Sequence, residues 1–96
     1  MTNVIHEKNG KILIQLFHAG RSTSKLFTGG LDLWAPSAIA IKGINKFSNL
    51  EYTVPKEMTQ DDMKKLIEEF RQAAENSKIA GFDGVVVHGA NSYILD

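Results

Sequence analysis

Two short apolar runs, one near each end, frame a long amphipathic stretch. Lys11–Phe17 reads KILIQLF, nearly continuous in apolar and branched residues. That is the pattern of a strand buried on both faces, as in a parallel sheet. Phe82–His88 repeats it through Val85-Val86-Val87. Between them, Met63, Leu66, Ile67, Phe70, Ala73 and Ala74 recur at i, i+3, i+4 spacing. This predicts a helix over Thr59–Ala80 with one apolar stripe. Lys64, Lys65, Glu68, Glu69, Arg71 and Glu75 fall on its other, solvated face. Thr59 suits an N-cap, with Asp62 three residues on, close to a capping box, and Gly81 ends the helix.

The remaining segments are less periodic. Val4–Lys8 reads as the last turns of a helix closed by Asn9-Gly10, the tail of a longer helix. Residues about 19–58 form an excursion, punctuated by Gly29-Gly30, Pro36 and Gly43. Short strands are expected within Trp34–Ile41 and Glu51–Val54, with a hairpin through Lys42–Asn49. Strand, excursion, helix, strand predicts a right-handed βαβ unit with parallel strands, hence an α/β fold. One helix and a helix stub cannot cover two strands that are apolar on both faces. Residues 1–96 are therefore expected to be a single segment of a larger α/β protein, or a subunit of a tight oligomer that joins through its βαβ faces. Alone and monomeric, the chain is expected to be marginal or partly molten.

Composition narrows the class without naming a function. The chain has 96 residues, 43% of them hydrophobic and 23% charged. Its 11 basic and 11 acidic residues cancel, so no net field draws it to nucleic acid or to an anionic membrane. The lack of cysteine excludes disulfides and thiolate metal sites. Neither a signal-like N-terminus nor a membrane-length apolar window is present, so a cytoplasmic protein is expected.

The candidate chemistry gathers at the end, in GFDGVVVHGANSYILD. The second strand delivers His88 to its C-terminal end, and Asn91 and Tyr93 follow in the loop. That end of a parallel strand carries the active sites of barrels and open α/β sheets. His and Asn can each donate a hydrogen bond, and two donors aimed at one point hold an oxygen that gains charge. Tyr can deliver a proton. The set suits a metal poorly, since only His is a good ligand. The plainer alternative is a turn at Asn91, a packed Tyr93 and a core histidine. Gln15 interrupts the first strand. A buried amide without a partner costs about 1–3 kcal/mol, so Gln15 needs one: backbone, water or a ligand.

These stretches resemble the Old Yellow Enzyme family of FMN-dependent ene-reductases. GFDGVVVHGANSYILD is similar to its fourth strand and active-site loop, and KILIQLFHAGR to its third strand. APSAI resembles the start of the excursion, and VPKEMTQDDMKKLIEEFRQAAENSKIAGFDGV the helix leading to strand four. The resemblance implies part of a (β/α)₈ TIM barrel. It implies that Gln15 bonds the flavin pyrimidine edge, that His88 and Asn91 bind the substrate oxygen at the flavin, that Tyr93 donates the proton, and that Phe17 lines the pocket. It implies FMN reduced by NADH or NADPH, with a hydride passed to an α,β-unsaturated carbonyl or nitro compound. Asn91 stands where many members have His, and Ser92 where many have Gly. The family's first two strands, its later basic residue and its phosphate loops have no counterpart, so FMN is not expected to stay on the isolated chain. The competing expectation is a truncated, non-catalytic remnant that only self-assembles.

Overall fold

The computed structural model describes all residues from Met1 to Asp96. In chain order the elements are α1 (Thr2–Glu7), β1 (Leu13–Leu16), β2 (Trp34–Ala35), β3 (Ile44–Asn45), β4 (Leu50–Glu51), β5 (Lys56–Glu57), α2 (Gln60–Ile79) and β6 (Gly84–Val87). β1 and β6 pair in parallel, with Gln15 opposite Val86 and Leu16 opposite Val87. The ladder continues past both ends, through Asp83 N to Ile12 O and His88 N to Leu16 O, each 2.9 Å.

Helix α2 forms where its stripe and caps predict. The Thr59 hydroxyl accepts from Asp62 N, and the Asp62 carboxylate accepts from Thr59 N at 2.8 Å, which closes the capping box. After the helix, Gly81 takes φ +92°, a conformation that costs glycine little. α2 packs on both strands. Helix α1 ends at Asn9 with φ +58°, as the Asn-Gly pair predicts. Two bonds tie it down. The Thr2 hydroxyl donates to Ala80 O at 3.0 Å, and His6 Nε2 lies 2.8 Å from Asp83 Oδ2. The same carboxylate oxygen accepts from Ile12 N at 2.9 Å. These bonds hold Asp83 down at a pKa of about 2, chiefly through the Ile12 N–H and then His6.

The excursion departs from expectation. Trp34–Ala35 does form a strand, but it pairs in parallel with Lys56–Glu57. A hairpin forms close to where it is expected, over Ile44–Glu51, with Ile44–Asn45 antiparallel to Leu50–Glu51. Buried Asn45 organises it: Oδ1 accepts from Phe47 N at 2.9 Å and Ser48 N at 3.3 Å. An Asx side chain can close a turn by local geometry that hydrophobic periodicity does not register. Asp32 bridges Lys25 and Lys56 across the base of the excursion, and these two cations lower its pKa to about 2.

The strands are not covered on both faces, as expected for two strands with one helix and a helix stub. Along β1, Leu13, Gln15 and Phe17 are exposed and alternate with half-buried Ile14, Leu16 and His18. A two-stranded sheet with one helix has one covered side, and the other is open. Gln15 thus lies in reach of water, and the partner that burial would have demanded is not required. On the helix, Ile67 is 68% exposed although it sits in the apolar stripe. The best-buried apolar residues are Leu33, Ala35 and Met58 of the excursion and Ile94 of the final loop. The total accessible surface is 7045 Å². A compact chain of 10.6 kDa would expose roughly 5,500 Å². Exposed apolar side chains occur on the sheet and on α2, as at Leu13 and Ile67, and also in the excursion, as at Phe47 and Leu31. No helix is long and apolar enough to cross a membrane.

Candidate active site

Parallel register brings the candidate residues to one side. Gln15 pairs with Val86 and Leu16 with Val87, so the next pair is Phe17 with His88. Paired residues in a sheet share a face, and that face alternates by two. Gln15, Phe17 and His88 therefore stand on the open face, and α2 covers the other. Tyr93 folds back from the loop onto this face. Its ring centroid is 4.8 Å from His88, edge-on, and 5.2 Å from Phe17. Phe17 and His88 are 6.3 Å apart. These spacings are typical of aromatic packing.

Asn91 reaches the same point. Asn91 Nδ2 lies 3.5 Å from His88 Nε2. The state of the imidazole follows from its other nitrogen. Ala90 N donates to His88 Nδ1 at 3.2 Å, so Nδ1 is an acceptor and the neutral ring carries its proton on Nε2. With the amide nitrogen of Asn91 turned toward Nε2, two donors lie side by side. They do not bond each other well, and one oxygen can accept from both.

The loop has a strained course. Asn91 and Ser92 both have left-handed backbones, φ +61° and +57°. Asn tolerates this region, Ser less so. Three contacts outside the loop hold it. Ile94 N donates to His18 O at 3.0 Å, and the Ser22 hydroxyl donates to Ser92 O at 2.8 Å. Gly20, at φ +57°, lies so close beneath Ile94 that a Cβ there would come within 3.2 Å of Ile94 N and Cα. Sequence reasoning did not find Ser22, Gly20 or the Ala90 N–H. Gly20 carried a weak signal, as a glycine directly after a strand; Ser22 and Ala90 carried none, because their roles depend on which backbone lies opposite.

The residues fit one part of FMN and not another. The exposed Gln15 amide shares its face with His88 and can bond the polar edge of a flat heteroaromatic ring. A phosphate has no comparable place. Helix N-termini favour anions, but the start of α2 holds Asp61 and the capping Asp62.

Known proteins resemble the chain along its whole length. Residues 1–96 match the family described as NADH:flavin oxidoreductase / NADH oxidase. A flavin oxidoreductase of Emericella nidulans is 43% identical over 97 residues, which is 100% of this chain and 25% of that protein. A probable flavin mononucleotide-dependent alkene reductase of Leishmania infantum is 36% identical over 104 residues, 100% of this chain and 28% of that protein. Among solved structures, the Old Yellow Enzyme homologue from Zymomonas mobilis superposes with a TM-score of 0.87 at 33% identity, covering 97% of this chain and 26% of that one. Morphinone reductase gives 0.85 at 32%, covering 97% and 27%. The chain thus spans about a quarter of the length of these relatives. It belongs to the NADH:flavin oxidoreductase / NADH oxidase family, the family of the Old Yellow Enzymes.

Proposed function

We propose that residues 1–96 supply the substrate-oxygen clamp and proton-donating loop of a cytoplasmic, FMN-dependent NAD(P)H oxidoreductase that reduces activated alkenes. The chain would be one segment of a (β/α)₈ barrel domain, with residues about 19–58 as an excursion at the mouth of the barrel. The observation that carries this is the 3.5 Å approach of His88 Nε2 and Asn91 Nδ2, with the imidazole tautomer set by Ala90 N.

The two donors would bind the carbonyl or nitro oxygen of the substrate and stabilise the charge that develops there. The Tyr93 hydroxyl would protonate the α-carbon; its ring is held by His88 and Phe17, and Phe17 would form one wall of the pocket. The Gln15 amide would bond the pyrimidine edge of FMN, and His88 would also lie against the cofactor. Bound FMN, recharged by NADH or NADPH, would supply the two electrons of the reduction. Its phosphate would need residues beyond this segment, so the isolated chain would not retain it. In FMN-loaded enzyme carrying these residues, Tyr93→Phe should slow alkene reduction and leave reduction by NAD(P)H intact. Equal loss in both half-reactions would refute the role given to Tyr93.

The exposed apolar face favours a second reading for the chain by itself, as a non-catalytic unit that self-assembles through its βαβ faces. Sedimentation of the isolated chain tests it: a defined oligomer supports this second reading, and a monomer at all concentrations overturns it.

A further inference from the structure

The loop bearing Asn91 and Tyr93 is held by a residue that lies far from it in sequence and outside the aromatic cluster. We propose that Ser22 is a positioning residue for Tyr93: its hydroxyl, donating to Ser92 O at 2.8 Å, fixes the peptide unit that joins Ser92 to Tyr93, and so the point from which Tyr93 delivers its proton. This rests on Tyr93 being the proton donor.

Two successive non-glycine residues in the left-handed region do not hold that course unaided. At Ser92, the N–H side is fixed inside the loop, to Asp96 Oδ2 at 2.7 Å. The carbonyl side is fixed from outside, by Ser22. The next outside bond, Ile94 N to His18 O, acts beyond Tyr93. Removing the Ser22 hydroxyl therefore leaves the peptide plane on the near side of Tyr93 held only by the longer bond inside the loop, Tyr93 N to Ala90 O at 3.3 Å, while the far side stays tethered. Rotation of that plane swings the Tyr93 side chain against a fixed His88.

Ser22 is itself well rooted. Its N–H donates to Ala19 O at 2.9 Å, and Gly20 N donates to His18 Nδ1 at 3.0 Å, which makes residues 18–22 a closed turn. Next to it the Arg21 guanidinium donates to Ile39 O and to Ser37 Oγ, anchoring the turn in the excursion. Arg21 and Ser22 thus tie the excursion and the active-site loop to the end of β1. A proton donor displaced by a fraction of an ångström transfers less often, while an oxygen clamp seated on His88 keeps much of its affinity.

The test uses FMN-loaded enzyme carrying this chain, as wild type, Ser22→Ala, Ser22→Thr and Tyr93→Phe. Reduced enzyme is reoxidised by 2-cyclohexenone in single turnovers, in H₂O and in D₂O, and backbone amide exchange is followed at residues 91–94. Ser22→Ala is expected to slow reoxidation about tenfold, raise the solvent isotope effect and hasten exchange at Tyr93. Reduction by NAD(P)H should stay at the wild-type rate, and Ser22→Thr, which keeps the hydroxyl, should restore most of the loss. Equal slowing of both half-reactions by Ser22→Ala would show a general structural defect and overturn the proposal. A slow Tyr93→Phe beside a silent Ser22→Ala would overturn the positioning role alone. A silent Tyr93→Phe would overturn the proton-donor role, and the purpose given to Ser22 with it.

Discussion

The backbone N–H of Ala90 donates to Nδ1 of His88 at 3.2 Å, and this bond decides what the opposite ring nitrogen offers. It leaves Nε2 as a donor, 3.5 Å from the Asn91 amide nitrogen. A residue two positions along the loop thereby sets the chemistry of the strand-end histidine. His18 repeats the device at the end of β1, where Gly20 N donates to its Nδ1.

If the donor pair binds the substrate oxygen, each member counts. His88→Ala or Asn91→Ala should lower the rate of alkene reduction by about 10²-fold, the scale seen when one oxyanion donor is removed. Asn91→Asp should be at least as damaging, since a carboxylate would face the substrate oxygen. Stopped-flow reoxidation by an α,β-unsaturated ketone measures both. Unchanged rates in all three variants would remove the clamp.

Asp83 predicts an acid-sensitive N-terminus. Its folded pKa of about 2 lies below the roughly 3.9 of an unfolded aspartate. The contribution is therefore complete above the unfolded value and is lost as pH falls from about 4 toward about 2. Amide exchange at Ile12 should accelerate through that window. In Asp83→Asn the pH dependence there should flatten, because no carboxylate remains to titrate.

The capping box predicts a local stability loss. Thr59→Ala removes the hydroxyl that accepts from Asp62 N at 3.2 Å. It should cost about 1 kcal/mol, read by denaturant melting at 222 nm, the usual far-ultraviolet helix band. Asp62 is held below the ordinary carboxylate range, first by the Thr59 hydroxyl and then by the Thr59 N–H. That stabilisation likewise fades as the solution is acidified through the carboxyl range.

Gly20→Ala should disturb the loop more than its size suggests. The position has φ +57°, and the added Cβ would meet Ile94 backbone at 3.2 Å. A cost of about 1–3 kcal/mol is expected from a strained backbone of this kind. Faster amide exchange at Ile94 would report it.

The open faces predict association of the isolated chain. Leu13 is 58% exposed on the sheet and Ile67 is 68% exposed on α2. Leu13→Glu with Ile67→Glu should shift sedimentation toward monomer at micromolar concentration. An isolated chain already monomeric and cooperatively folded would contradict self-assembly.

Much of the scaffold was legible from pattern. The Thr59–Asp62 cap, the i, i+3, i+4 stripe and Gly81 set α2, and Asn9 ended α1, because these signals act within one turn of backbone. The two apolar runs became parallel partners. Their open face follows from one helix covering one side; Gln15 alone was misjudged, because an apolar run states what a strand would bury and only the neighbours decide whether anything covers it. The hairpin was expected close to its place, but its exact strands were not, because Asn45 closes the turn by a side-chain bond that hydrophobic spacing does not encode.

The candidate site divides the same way. Sequence alone determined that His88, Asn91, Tyr93 and Gln15 sit near the ends of two strands, since spacing along a chain is local. Tertiary structure decided the rest. Parallel register placed Phe17 beside His88 and Gln15 on their face. The fold-back of the loop set the Tyr93 ring 4.8 Å from His88. The Ser22 strut reaches across 70 positions to bond Ser92 O, and no local pattern can carry a contact made between segments so far apart.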